Sequence, residues 1–569
     1  MSNPELFLIL VLHFVLTALP GVAAALLAAR LGVRSVPVLL ATGMVATGVA
    51  AMLAFWLYFA DPLIGESFSY LAIIGPAALT GWLLYERRLP GDLLRQLAMP
   101  LGLWALGSLF LVFFGFIHGG SELPLGTAAT RFIGPLPSDN DIPSFFANWY
   151  FQHGHESPVP IFPGEWLSSD RPPLQVGYVL AQRPIAWDHW GDNYQVLGVI
   201  LQQLWIVGLW ALLLAARVGK LTRALVMITV LVSDVALLNG FFVWPKMLPA
   251  AMLLAAAALV MTPLWEELRK SLWAAALIAA LCGLAMMGHG SSIFGIVPLA
   301  LIAVWRGLPS WRWVGVAVLV GLFLFQAPWS AYQKYHDPPG NRLVKYMLAG
   351  VPEIDDRGTL ETIADSYDEA GVGGTLHNKG QNFVTMFGGE PMVDTFEIAR
   401  DRFDEGNWEE GLEAIRTVLF FDLFPSLGLL LLAPLAMIAA HRRRRERAEE
   451  WNFALICFAI LAVGAIAWGL LLFGNAAGRT VMHAGSFALP IFGFCACVAG
   501  LRASFPRFAT WYVAISAALM LAIYTPATKP LPGTAYSATA IVLAILGLAG
   551  FVALSLKDSR LHQASSNSV

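Results

Sequence analysis

The sequence predicts an all-α polytopic membrane protein with about fifteen transmembrane helices and two long extracytoplasmic loops. Three observations carry that prediction. The 569 residues are 57% hydrophobic and only 13% charged, with a mean hydropathy of +0.66, whereas soluble domains carry about 25% charged residues. Apolar runs of about 18 or more residues recur along the chain, each long enough to cross a hydrocarbon core about 30 Å thick. The runs also lack the two-residue alternation of barrel strands, which leaves the helix as the spanning form.

Helices are expected over residues 6–29, 36–60, 68–86, 96–117, 193–216, 223–241, 244–262, 271–288, 291–305, 312–331, 415–440, 452–473, 482–501, 508–525 and 537–556. The first run is too long for a signal-peptide core and has no basic leader, so it reads as a retained helix. Basic residues mark one end of alternate helices. Arg30 and Arg34 follow the first; Arg87, Arg88 and Arg95 the third; Arg217, Lys220 and Arg223 the fifth; Arg269 and Lys270 the seventh. Arg306 and Arg312 follow the ninth, the basic run 442–447 the eleventh, Arg502 and Arg507 the thirteenth, and Lys557 and Arg560 the last. By the positive-inside rule these ends are cytoplasmic, so the N-terminus is expected outside and the C-terminus inside.

Four regions follow: a three-helix membrane module (1–95), a membrane core with an outer loop at 118–191 (96–331), an extracytoplasmic loop or lid (332–412), and C-terminal membrane helices (413–569). Loops as long as these are usually functional. The net charge of −3 selects no partner, and none is expected among nucleic acids. Cys282, Cys457, Cys495 and Cys497 all lie in apolar runs, which argues against extracytoplasmic disulfides and offers no zinc spacing.

The chemistry-bearing residues concentrate on the outer side. The first outer loop holds Pro137-Ser138-Asp139-Asn140-Asp141-Ile142-Pro143, two carboxylates ahead of an amphipathic stretch that begins Ser144-Phe145-Phe146. Asp141 could simply cap that helix. Further on stands Ser169-Asp170-Arg171-Pro172-Pro173-Leu174, where Arg171 is either a phosphate clamp or a solvated arginine on a rigid turn. The turn Asn239-Gly240-Phe241-Phe242-Val243-Trp244-Pro245-Lys246 puts a lysine on the wrong side for a topology anchor. It suits a lipid phosphate, or it snorkels in an aromatic belt.

These motifs resemble those of the GT-C superfamily, multi-helix membrane glycosyltransferases that take a sugar from a polyprenyl-phosphate carrier. Asp-x-Asp in an outer loop beside a surface helix, Arg-Pro-Pro-Leu, and Trp-Pro-Lys carry the likeness, over about residues 96–345 plus a turn near 479. The resemblance implies a multi-pass protein of a bacterial inner membrane, an inverting sugar transfer on the outer face, and a glycan, lipid or protein acceptor. It also implies that Asp139 or Asp141 acts as base on the acceptor hydroxyl, and it leaves room for a divalent cation. In the familiar pattern the acidic motif follows the first helix. Here three hydrophobic helices come first, either as an added module or because the correspondence is different.

A lipid-phosphate leaving group needs cations. The candidates are Arg171, Lys246, Arg342, Lys345, Arg479 and His483, drawn from separate outer turns. His155, Asp234 and His289 are candidates for substrate contacts, Asp234 because an ionisable residue inside a membrane helix normally faces a cavity or a partner. His153, His155 and Glu165 fall short of a metal site. His13, deep in the first helix, reads as a satisfied packing residue. Two other classes fit parts of the pattern: a lipid-linked glycan ligase or polymerase, and a lipid or oligosaccharide flippase. A flippase predicts charges deep in several helices and repeat symmetry, and the sequence offers Asp234 and no repeat.

Overall fold

The computed structural model describes residues 2–156, 158–185, 190–354, 356–439, 448–474, 487–527 and 535–557. Among them the chain is a helix bundle with no β-strand, only an isolated bridge between Phe162 and Trp166. Nine helices are long and apolar enough to cross a membrane, or up to eleven if two bent pairs each make one span. Among the described residues length and composition thus support nine to eleven spans, and the expected count of fifteen is not confirmed. Four further apolar helices are shorter: Met247–Val260, Leu272–Gly288, Gly290–Trp305 and Ala488–Ser504.

Burial explains the short ones. Every residue of Met247–Val260 is buried, packed on Trp205–Ala215 and Leu272–Gly288. A helix enclosed by protein need not match the bilayer thickness. Between helices in lipid, close packing replaces the hydrophobic driving force, so small residues mark the crossings. Gly21 on Asn3–Arg30 and Gly43 on Val36–Ala60 face each other, and a Cβ on either would sit 2.9 Å from the other's carbonyl oxygen.

The bent pairs are differences from the expected helices. The span expected at 223–241 is two helices, Lys220–Leu231 and Asp234–Phe242, at 50°. Ser233 ends the first by capping the second, accepting from Ala236 N–H. The span expected at 415–440 turns by 83° between Trp408–Phe421 and Pro425–Ala439, where Pro425 can only start a helix. The outer loops are themselves largely helical, with Ile142–His153 and Leu174–Gln182 in the first and Arg342–Ala349, Thr359–Met386 and Gly389–Asp404 in the second.

Turn-to-turn contacts sort into two ends. Arg30 pairs with Glu86 at 3.2 Å, Arg269 donates to the Leu308 carbonyl, and Gly219 N–H donates to Glu450; all follow odd-numbered expected helices. At the other end Ser537 N–H donates to the Ile117 carbonyl and Arg416 to that of Phe132. The outer loops converge there. His13 bridges Gln182 and Asn193, each 2.7 Å from a ring nitrogen.

Candidate functional site

The first outer loop is fixed by the helix that follows it. A Cβ on Gly177 would lie 2.1 Å from the Ala51 carbonyl oxygen, so only glycine lets Leu174–Gln182 lie flush on Val36–Ala60. That docking sets the position of Arg171-Pro172-Pro173 just ahead. Asp337 secures the same stretch from the second outer segment, accepting from Ser168 Oγ at 2.6 Å and Ser169 N–H at 3.0 Å. Gln333 Nε2 donates to the Ser169 carbonyl.

Charges alternate across the result. Arg171 donates to Asp139 at 2.8 Å, each side chain only about 10% exposed. Arg342 meets Asp170 at 3.4 Å and donates to the Pro352 and Glu165 carbonyls. Both guanidinium groups flank the Trp166 ring, at 4.3 Å for Arg171 and 5.4 Å for Arg342. Asp170 also accepts from Leu167 N–H. Burial raises the Asp170 carboxyl above the usual range, opposed by Leu167 N–H and the two arginines.

Asp139 and Asp141 differ in surroundings. Asp139 sits in the 3-10 turn Ser138–Asn140, bound to Arg171. Asp141 stands at the N-cap of Ile142–His153, yet its side chain accepts from no backbone N–H of that helix. Its partner is the Ser144 hydroxyl, and burial outweighs that bond to raise its carboxyl. Asp141 therefore does not cap the helix through its side chain.

Lys246 is buried at 1% exposure, with Nζ 2.5 Å from His289 Nε2 and 4.7 Å above the Trp244 ring. Burial drives its amine well below the ordinary lysine range; nearby Arg171 adds to this and Asp139 opposes it. The His289 ring accepts at Nδ1 from Ser291 N–H at 3.2 Å.

Arg171, Asp170 and His289 reach a cavity of about 310 Å³, whose polar lining also includes Ser169, Ser291 and Gln333; Asp139, Lys246 and Arg342 stand behind that wall. Trp329 forms an apolar wall and stacks on Tyr332, centroids 4.9 Å apart. Met286 and Gln326 line this cavity and also a second one, an apolar groove of about 590 Å³ between the helices around Ile278, Leu299 and Val314. The groove's outer wall is a π-helical stretch, Leu319–Gln326, whose wide turns are frequent at functional sites.

The structure brings together Asp139, Arg171, Lys246, His289 and Arg342. Asp141 follows Asp139 by two residues in the same loop, bonded to Ser144 and not to these cations, and the remaining candidates stand apart. Lys345 is buried and donates to the Arg357 carbonyl, off the cavity wall. Asp234 is fully buried beside Tyr524, away from this cavity. His155 is exposed at the end of Val36–Ala60, against the Ala60 carbonyl. Arg479 and His483 lie outside the described residues. Among the described residues no three His, Cys, Asp or Glu side chains gather to hold a metal ion. Sequence reasoning missed Trp166, Asp337 and a set of buried glutamines, whose only signal was amide residues inside apolar helices.

No protein-family model and no curated protein matches the sequence. Among solved structures the chain is similar to ArnT from Cupriavidus metallidurans bound to undecaprenyl phosphate. That likeness has 14% identity and a TM-score of 0.37, covering 79% of this chain and 77% of that one.

Proposed function

We propose that this chain is a membrane glycosyltransferase of the GT-C type, moving a sugar with inversion from a polyprenyl-phosphate donor to an acceptor on the extracytoplasmic face. The observation that carries the reading is the pair of adjacent cavities. One has Arg171, Asp170 and His289 in its wall and the other is apolar, and they share Met286 and Gln326. An amphiphile with an anionic head and a long hydrocarbon tail matches both at once. The basic helix ends, gathered opposite this site, support an outward-facing site, with the N-terminus outside and the C-terminus in the cytoplasm.

The roles follow from position. The donor tail lies in the groove, and its phosphate meets Arg171 and Lys246, with Arg342 behind them. The Trp329 face takes the sugar, as aromatic rings suit its C–H face. Of the two acidic-loop carboxylates Asp141 is taken as the base, because Asp139 is tied to Arg171 whereas Asp141 is bonded to the Ser144 hydroxyl and to no cation. The acceptor oxygen attacks the anomeric carbon as the carbon–oxygen bond to phosphate breaks. Asp141 takes the acceptor proton, and the polyprenyl phosphate leaves with the bonding pair, stabilised by the cations. No step runs through a metal, because the carboxylates present are not clustered as a metal's donors.

The test uses the full chain in lipid nanodiscs, with polyprenyl phosphate and the uncharged polyprenol as probes. Polyprenyl phosphate is expected to bind at least about tenfold more tightly, in line with charge-assisted bonds to the head. Asp141→Asn should keep that binding and lose transfer. Equal binding of both lipids would overturn the reading. Transfer surviving in Asp141→Asn and Asp139→Asn alike would favour a ligase or polymerase, or a flippase if no sugar is transferred at all.

A further inference from the structure

One face of the helix Trp190–Gln202 carries Tyr194, Gly198 and Gln202 at four-residue spacing, so the three stack along one ridge. Each touches a part of the candidate site. Tyr194 donates from its hydroxyl to the Asn140 carbonyl at 2.6 Å, between the two acidic-loop aspartates. Gln202 Oε1 accepts from Met247 N–H at 3.0 Å and Leu248 N–H at 3.1 Å, the residues directly after Lys246. Gly198 leaves room for the Val243 side chain, whose Cγ1 would lie 2.6 Å from a Cβ there.

Gln175 closes the set. Its Nε2 donates to Tyr194 Oη and to the Val243 carbonyl, both at 3.1 Å, and its Oε1 accepts from Gln202 Nε2 at 2.9 Å. Val243 has φ +54°, a left-handed conformation that is an outlier for a β-branched residue. Such strain persists only where surroundings impose it, and it is common at functional sites. Here Gln175 holds the strained carbonyl while Gly198 accommodates the side chain. Gln175, Tyr194 and Gln202 are all at most 1% exposed, so water does not substitute for these bonds.

We infer that Tyr194, Gly198, Gln202 and Gln175 form a positioning device that fixes the acidic loop relative to the Lys246 turn, and so the base relative to the donor phosphate. The consequence for turnover rests on the glycosyltransferase reading above; the control of the turn does not. The two ends separate in their effects. Tyr194→Phe frees the acidic loop and is expected to lower kcat about tenfold at nearly unchanged donor KM. Gln202→Met frees the Lys246 turn and is expected to raise donor KM about tenfold. A role in folding alone would move both parameters together in both variants.

A second measurement needs no donor. Lys246 in the folded wild type should resist acylation by a soluble succinimidyl ester, read by mass spectrometry. Gln202→Met, and independently Gly198→Ala, should speed its modification at least about fivefold. If Lys246 stays equally protected in both variants, the inference is overturned. If protection is lost but the wild type binds no polyprenyl phosphate, the positioning device stands and the glycosyltransferase reading falls.

Discussion

Gly177→Ala tests whether the bundle fixes the site. An alanine Cβ would stand 2.1 Å from the Ala51 carbonyl oxygen and 2.7 Å from its carbon. Ordinary contact begins near 3.4 Å, and the obstacle is backbone, so no rotamer change relieves it. The helix Leu174–Gln182 must withdraw by about 1.3 Å, a strain typical of overpacked interiors at about 1–3 kcal/mol. Arg171 is three residues from its start and should shift by about 1 Å, a displacement able to cost about 100-fold in rate. The assay compares sugar transfer and thermal unfolding of Gly177→Ala with Gly75→Ala. A Cβ at Gly75 meets nothing within 4 Å, so that variant should match the wild type in activity. If Gly177→Ala keeps transfer within twofold and its unfolding midpoint, the docking of this helix does not set the site.

Asp141→Asn should lower kcat by about 10²–10⁴. Because burial raises the Asp141 carboxyl and a base must be ionised, wild-type activity should rise with pH through a value above the ordinary carboxylate range, and that limb should vanish in the variant. Lys246→Met should weaken polyprenyl-phosphate binding about 10–100-fold, the worth of a hydrogen bond to a charged group. The wild-type amine, depressed by burial, should take up a proton as the phosphate arrives, so affinity falls as pH rises; calorimetry in buffers of differing ionisation heat reads this, and Lys246→Met should abolish it. Arg171→Gln leaves the Asp139 carboxylate buried and alone, which should destabilise the fold by about 3–5 kcal/mol, with much of the loss recovered in Arg171→Gln/Asp139→Asn; denaturant unfolding decides. Ala279→Trp fills the groove and should weaken binding of a long-chain lipid phosphate while sparing a short-chain one, a difference that native mass spectrometry resolves.

The membrane bundle was legible because the bilayer imposes a local requirement: every span must satisfy its backbone and present apolar side chains, and both are written in consecutive residues. The outer cluster was legible in part for the same reason, since charges that cannot enter lipid collect in the loops. Lys246, His289 and Arg171 were all visible as loop or turn residues that could bear chemistry. Their partners were not: Lys246 meets His289 across 43 positions, and Arg171 meets Asp139 across 32. Lys345 carries the same charge as Arg342 three residues earlier, yet burial turns it to a carbonyl, and nothing local distinguishes the two.

By itself the sequence determined the helical membrane fold, the alternation of basic ends and the stretches where chemistry could reside, because length, hydropathy and charge act on neighbours in the chain. The glycine contact at Ala51, the amide clasp around Val243 and the two adjacent cavities were decided only by tertiary structure. Each depends on atoms from distant segments meeting within a few ångströms, and packing in three dimensions alone sets those distances.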